Sequence, residues 1–257
     1  EQYRKILSEK EQTLETGRRL ITKYNCRGCH NVEGEGGRIQ EYLKAKAQYP
    51  PPLEMGDYHV GERLKSSWLF SFLKEPTPVR TWIKVKMPTF FFSDKEVRDL
   101  TAYFEALSPV SGYEAGIHQS KDATVAQKGA EMVSYMDCGR CHDDGQKGIE
   151  FSLASKRLRE NWIPKWLKDT RGMIPWTPMP SHWVKKGDKL TVPTKYSEIE
   201  TVGDVDTQVS TLTDLIIAYN TAELDFDVSL GEGGEDEEGE DEEGDSDGDD
   251  EEEEDDE

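Results

Sequence analysis

The chain has 257 residues, with 53 acidic against 32 basic side chains and a net charge of −21. Residues 231–257 hold 20 of the acidic groups and no Lys or Arg, so the rest of the chain is nearly neutral. This balance argues against nucleic acid as a partner, and with no run of 18 apolar residues nothing in the sequence reads as a membrane-spanning helix.

The opening Glu1-Gln2-Tyr3-Arg4 does not read as a secretion signal. A helix is predicted over Thr13 to Tyr24, with Gly17 inside it. Glycine in mid-helix costs about 1 kcal/mol relative to alanine, so another backbone is expected to pass close by. The helix runs into Cys26-Arg27-Gly28-Cys29-His30. The same arrangement returns 112 residues later as Cys138-Gly139-Arg140-Cys141-His142, and the two copies use every cysteine. Cysteines at i and i+3 can each form a thioether to one porphyrin edge, while the histidine at i+4 turns its imidazole onto the iron. Two covalently bound haem c groups are therefore expected, held by Cys26, Cys29 and His30 and by Cys138, Cys141 and His142. Zinc is the weaker reading, because it wants four ligands and each cluster offers three. It would have to borrow His59, His118 or His182. A redox dithiol leaves both histidines without a role.

Further pairs follow at matched offsets. Gly129 precedes Cys138 by nine residues, as Gly17 precedes Cys26, within a predicted helix over Ala123 to Met136. Arg63-Leu64-Lys65 stands five residues before Trp68, and Arg157-Leu158-Arg159 five before Trp162. Trp68, Phe72 and Leu73 then share one helical stripe, as do Trp162, Trp166 and Leu167, with prolines downstream to end each helix. Next come Met87-Pro88 and Met179-Pro180. A thioether is a soft ligand for haem iron and a proline stiffens the loop that carries it, so Met87 and Met179 are the expected sixth ligands. Met55, Met132, Met136 and Met173 are expected to fill core.

Each half closes with an amphipathic helix, Asp94 to Leu107 and roughly Thr207 to Thr221, aligned on Ala102-Tyr103 and Ala218-Tyr219. Ser93 and Glu96 read as a helix start. These helices are expected to cross the first ones near Gly17 and Gly129. The first half inserts 18 extra residues between its histidine and its Arg-Leu pair. The second instead lengthens the stretch after Met179, where Trp183 to Asp206, with Leu190 and Val192, suggests a short hairpin.

In the order helix, Cys-x-x-Cys-His, Trp68-to-Leu73 helix, Met-Pro and closing aromatic helix, the chain resembles tandem class I cytochrome c domains over roughly residues 11–225. The resemblance implies an all-α fold of two small helical domains, 1–112 and 113–226, with a linker near 108–122. The Gly-punctuated acidic stretch 227–257 is expected to be a disordered tail. Trp68-Leu69-Phe70-Ser71-Phe72-Leu73-Lys74 with Lys86-Met87-Pro88-Thr89-Phe90 is similar to bacterial dihaem subunits that accompany quinol-oxidising cytochrome b complexes. That likeness implies outer-sphere electron transfer between redox partner proteins, a membrane cytochrome b complex or terminal oxidase among them, in the periplasm. An export segment or anchor removed beforehand goes with this location. In the family a proline loop supplies a carbonyl to the haem histidine, and Pro51-Pro52-Leu53 resembles that loop; Glu150-Phe151-Ser152-Leu153 lacks the proline, leaving the second acceptor unassigned.

The alternative is a dihaem enzyme, a peroxidase or sulfur-compound oxidoreductase, in which His182 or His59 displaces a methionine. The acidic stretch reads as a solvated tail, as an arm for a basic partner that weakens with salt, or as a segment that folds back on Lys156, Arg157, Arg159, Lys165 and Lys168.

Overall fold

In a computed structural model, residues 7–109, 123–142, 147–193, 195, 199 and 202–219 are described; His118, the predicted linker beyond Pro109 and the acidic tail lie outside them. Helix α1 (Glu9–Lys23) begins ahead of the expected Thr13 because Ser8 is a strong cap. Its hydroxyl accepts from the Glu11 amide, and the Glu11 carboxylate accepts from the Ser8 amide at 2.8 Å, so two donors at the helix start are satisfied reciprocally. The inserted residues of the first half form two hairpins, β1 (Asn31–Val32) with β2 (Glu35–Gly36) and β3 (Glu54–Met55) with β4 (Tyr58–His59). These short pairs are an addition to the expected all-helical fold. Helices α2 (Val60–Arg63), α3 (Ser66–Lys74) and α4 (Asp94–Leu107) follow, α4 starting at the Ser93–Glu96 capping box.

The second half contains α5 (Ala123–Tyr135), α6 (Gly139–His142), α7 (Ala154–Arg157), α8 (Trp162–Lys168) and α9 (Thr170–Met173). The expected hairpin is present as β5 (Val184–Lys186) against β6 (Lys189–Thr191), and α10 (Val205–Ala218) closes the half. Trp183 is buried beside the hairpin and its indole N–H donates to Gln208 Oε1 at 2.9 Å, which ties the insertion to α10. Met132, Met136 and Met173 are buried core, as expected.

The two mid-helix glycines sit where helices cross. A Cβ built on Gly17 would lie 2.1 Å from Cγ of Tyr103 on α4, and Tyr103 is fully buried with its hydroxyl donating to Glu33 at 2.9 Å. A Cβ on Gly129 would lie 2.9 Å from Cβ of Leu215 on α10. Leu215, one turn before Tyr219, is thus the residue facing Gly129, which corrects the Tyr103-to-Tyr219 alignment; Tyr219 packs edge-on to Phe151 instead. Overpacking a filled contact costs about 1–3 kcal/mol, whereas replacing helical glycine by alanine gains about 1 kcal/mol. Because Tyr103 is anchored at its far end and cannot swing away, Gly17→Ala is expected to lower stability by a net ~1–2 kcal/mol. Urea unfolding checks this; an unchanged or raised midpoint would mean that α1 and α4 separate freely.

A second link between α1 and α4 is electrostatic. Glu96 accepts from Lys23 Nζ at 2.7 Å and from the Tyr24 hydroxyl at 2.8 Å. Lys23, followed by the Ser93 amide, holds the Glu96 carboxyl down to about 2.

The halves meet along the repeated triplets. Leu64 and Leu158 form an antiparallel bridge, with the Lys65 amide donating to the Arg157 carbonyl and the Arg159 amide to the Arg63 carbonyl, both at 2.9 Å. Around this bridge Arg159 donates to Leu64 O at 2.8 Å and to Glu105 at 3.3 Å. Lys165 pairs with Glu62, and Tyr58 meets Trp162 edge-on at 6.2 Å. Of the five basic residues named as a landing place for the acidic stretch, Arg157 is buried, Arg159 and Lys165 bridge the halves, Lys168 pairs with Asp206 at 2.6 Å, and Lys156 is exposed.

Candidate functional site

Each Cys-x-x-Cys-His copy is launched by a residue in the left-handed conformation. Asn25 (φ 51°) precedes Cys26, and Asp137 (φ 53°) precedes Cys138. Asn and Asp tolerate this region better than other side chains, and their occurrence at the same offset is a signal the sequence carried unnoticed. The turns that follow carry the same hydrogen bonds. The His30 amide donates to Cys26 O at 2.9 Å and the His142 amide to Cys138 O at 3.0 Å, while Cys29 and Cys141 donate to the same carbonyls at 3.2 Å. In both copies, then, two thiols one turn apart are followed directly by an imidazole.

Each imidazole is oriented by a backbone carbonyl. His30 Nδ1 donates to Pro51 O at 2.7 Å, the loop anticipated for the first half. His142 Nδ1 donates to Ile149 O, also at 2.7 Å, which supplies the acceptor that had no assignment. Ile149 escaped notice because the segments between histidine and Arg-Leu pair differ in length and cannot be aligned. Phe151 stacks on the His142 ring with centroids 4.7 Å apart. Burial holds both histidines below their ordinary pKa, the carbonyl bond opposing it only in part. Each ring is therefore neutral, and with Nδ1 carrying the proton, Nε2 keeps its lone pair.

In the first half Cys26, Cys29, His30 and Met87 line one crevice of about 210 Å³, many times the room a single water needs. Its walls are largely apolar, with Trp68, Leu69 and Leu73 from α3 and Leu100 and Phe104 from α4. Trp68 and Phe72 stack at 4.8 Å, and Trp162 and Trp166 stack likewise at 5.3 Å on α8. In the second half Cys138 and Met179 pack against the core. Met179 Sδ accepts from the Trp166 indole N–H at 3.1 Å, and Thr170 holds the loop through the carbonyls of Met179 and Pro180 at 3.4 Å.

The remaining candidates fall apart from one another. His59 does not line the crevice; its Nδ1 lies 2.5 Å from Glu54 Oε2 on the β3–β4 hairpin. His182 is buried, and burial, then Lys195 and His142, bring its pKa down to about 4, so it is a neutral imidazole within electrostatic reach of His142. Burial pushes the Cys26 thiol up to about 11 and the Cys138 thiol up to about 12, which opposes the ready thiolate that a redox dithiol requires. Among the described residues no three His, Cys, Asp or Glu side chains converge as a metal site.

Paired thiols and a neutral, oriented histidine thus share one apolar, helix-walled crevice in the first half. Residues 14–108 match the Cytochrome c family. That stretch is a cytochrome c domain, a kind that carries covalently bound haem c with its iron and serves haem-based electron transfer with redox partners. No curated protein and no solved structure matches the chain. The donor set fits the group: thiols suited to thioether formation, an imidazole with Nε2 available, and a thioether sulfur in the same crevice. No helix among the described residues is long and apolar enough to cross a membrane.

Proposed function

We propose that the chain is a dihaem c-type cytochrome that moves single electrons between respiratory or photosynthetic redox proteins, with domains at 1–112 and 113–226 joined by a linker near 108–122. The observation that carries this reading is the duplicated turn, in which Asn25 and Asp137, the Cys26 and Cys138 carbonyls, and the carbonyl-held His30 and His142 recur with the same geometry. When bound, each haem supplies an iron that cycles between Fe(III) and Fe(II).

The chain's own residues do the rest. Cys26 and Cys29, and Cys138 and Cys141, would hold the two porphyrins through thioether bonds. His30 and His142 offer a neutral Nε2, and the hydrogen bond at the other nitrogen both selects that tautomer and strengthens the imidazole as a donor. Met87 and Met179 would each offer a thioether sulfur to the iron, a donor that favours a high potential and would leave no place for substrate. Apolar walls exclude water, so a change of charge at the metal reorganises little around it. Contact of the halves at Leu64 and Leu158 supports one continuous route for electrons in place of two swinging carriers. A periplasmic location, and a basic partner attracted by the acidic run of residues 231–257, belong to the same reading.

A second reading, a dihaem peroxidase or sulfur-compound oxidoreductase, draws on His182, which is buried and neutral near His142 and is the natural replacement for Met179 as ligand. The matured full-length protein separates the two. Two haems per chain by pyridine haemochrome assay, and a near-infrared charge-transfer band from methionine-ligated ferric iron at both, are expected of the carrier. One haem per chain would end the dihaem proposal; a high-spin component or peroxide turnover would favour the enzyme.

A further inference from the structure

The wall of the first crevice contains three guanidinium groups, from Arg63, Arg80 and Arg157. Arg63 and Arg157 are 6% and 4% exposed, and the Nε of each has no hydrogen-bond partner. Arg63 donates to the Tyr58 hydroxyl. Arg157 lies over the Trp68 ring, 5.8 Å from its centroid. Among the described residues no carboxylate is paired with any of the three. Taking a guanidinium out of water without a counter-charge is strongly unfavourable, and an aromatic face offsets only part of that cost. Burial, followed by the neighbouring arginines, brings Arg157 well below its ordinary pKa, and burial with Arg63 brings Arg80 down to about 10. Three cations that repel one another on one otherwise apolar wall call for an anion, and no carboxylate among the described residues supplies it.

Arg157 also comes from the other half of the chain. Arg63 and Arg157 occupy the same place in the repeat, their carbonyls accept from each other's triplets, and their side chains cross: Arg157 onto Trp68 of the first half, Arg63 to 5.0 Å from the Trp162 ring of the second. We propose that Arg63, Arg80 and Arg157 form one carboxylate site that receives the propionates of the haem in the first crevice, and that the second half completes this site by supplying Arg157. The first iron's potential is then set partly by the other half. This rests on the haem reading of the first crevice.

The test uses the matured full-length chain and spectroelectrochemical titration. A positive charge near the iron stabilises the reduced state, so Arg157→Gln is expected to lower one midpoint potential. The expected fall corresponds to about tenfold in the reduction equilibrium, or 59 mV for one electron. Arg80→Gln is expected to lower the same potential, and the exposed Arg98→Gln to change neither. Potentials unmoved in both Arg157→Gln and Arg80→Gln, with full haem content, would overturn the arginine site while leaving the haem reading intact. A wild-type potential that shifts with added phosphate at constant ionic strength would also overturn it, since the anion would then come from solvent. A chain without haem in the first crevice would overturn the underlying reading itself, a failure seen in the haem assay before any titration.

Discussion

Met87→Ala is expected to abolish one near-infrared charge-transfer band and to lower one midpoint potential by on the order of 0.1–0.3 V, within the ~0.8 V range that axial ligands span. Met87 lines the crevice that also holds Cys26, Cys29 and His30, and Pro88 stiffens the loop beside it. Alanine removes the only soft donor of this loop while leaving the two thioether cysteines untouched, so haem content should stay at the wild-type level. Loss of a thioether, which favours Fe(II), should leave the ferric state relatively more stable. Met179→Ala is expected to act in the same way on the other band. Here Trp166 and Thr170 hold the methionine loop in place, so the parent loop should be ordered and the change confined to the ligand. Both bands surviving Met87→Ala would sink the assignment for the first crevice. If the parent protein lacks a second band and His182→Ala alters the spectrum, the second ligand is His182.

The sequence was informative wherever chemistry and periodicity coincide. Helices α3 and α4 and the helical stripes on α3 and α8 follow from apolar spacing and from the Ser93–Glu96 cap, and Gly17 and Gly129 announced the helix crossings because no Cβ fits there. The Pro51 contact followed from a resemblance. Ile149 could not be found, because a backbone carbonyl leaves no side-chain signature and its loop has no counterpart of equal length. Tyr219 was aligned by residue type, whereas packing against Gly129 selects by position along α10, one turn earlier. The bridge between the halves was equally hidden. Arg63-Leu64-Lys65 and Arg157-Leu158-Arg159 were visible as a repeat, yet nothing in a repeat states that its two copies touch each other.

That contact leads to the second large effect. Arg159→Ala is expected to destabilise the protein by about 2–3 kcal/mol, the scale of hydrogen bonds that involve a charged group. The guanidinium donates to the Leu64 carbonyl at 2.8 Å, to Ser66 Oγ at 3.0 Å and to Glu105 at 3.3 Å, all in the first half. Its side chain is 18% exposed, so water replaces these bonds poorly after truncation. Glu105, 38% exposed, recovers solvent more readily, and Glu105→Ala should therefore cost less than Arg159→Ala. Urea unfolding of the matured chain measures both, and a loss below about 0.5 kcal/mol for Arg159→Ala would place it among ordinary surface substitutions. The same variant connects stability to redox behaviour. Arg157 stands two residues away, at the end of α7, next to the Leu64–Leu158 bridge that the Arg159 side chain fastens, so loosening the bridge should also withdraw Arg157 from the first crevice. A fall in the potential that Arg157→Gln lowers, without any change at position 157, is the expected result; a destabilised Arg159→Ala protein with unaltered potentials would show that the bridge holds the halves together but does not place the arginine.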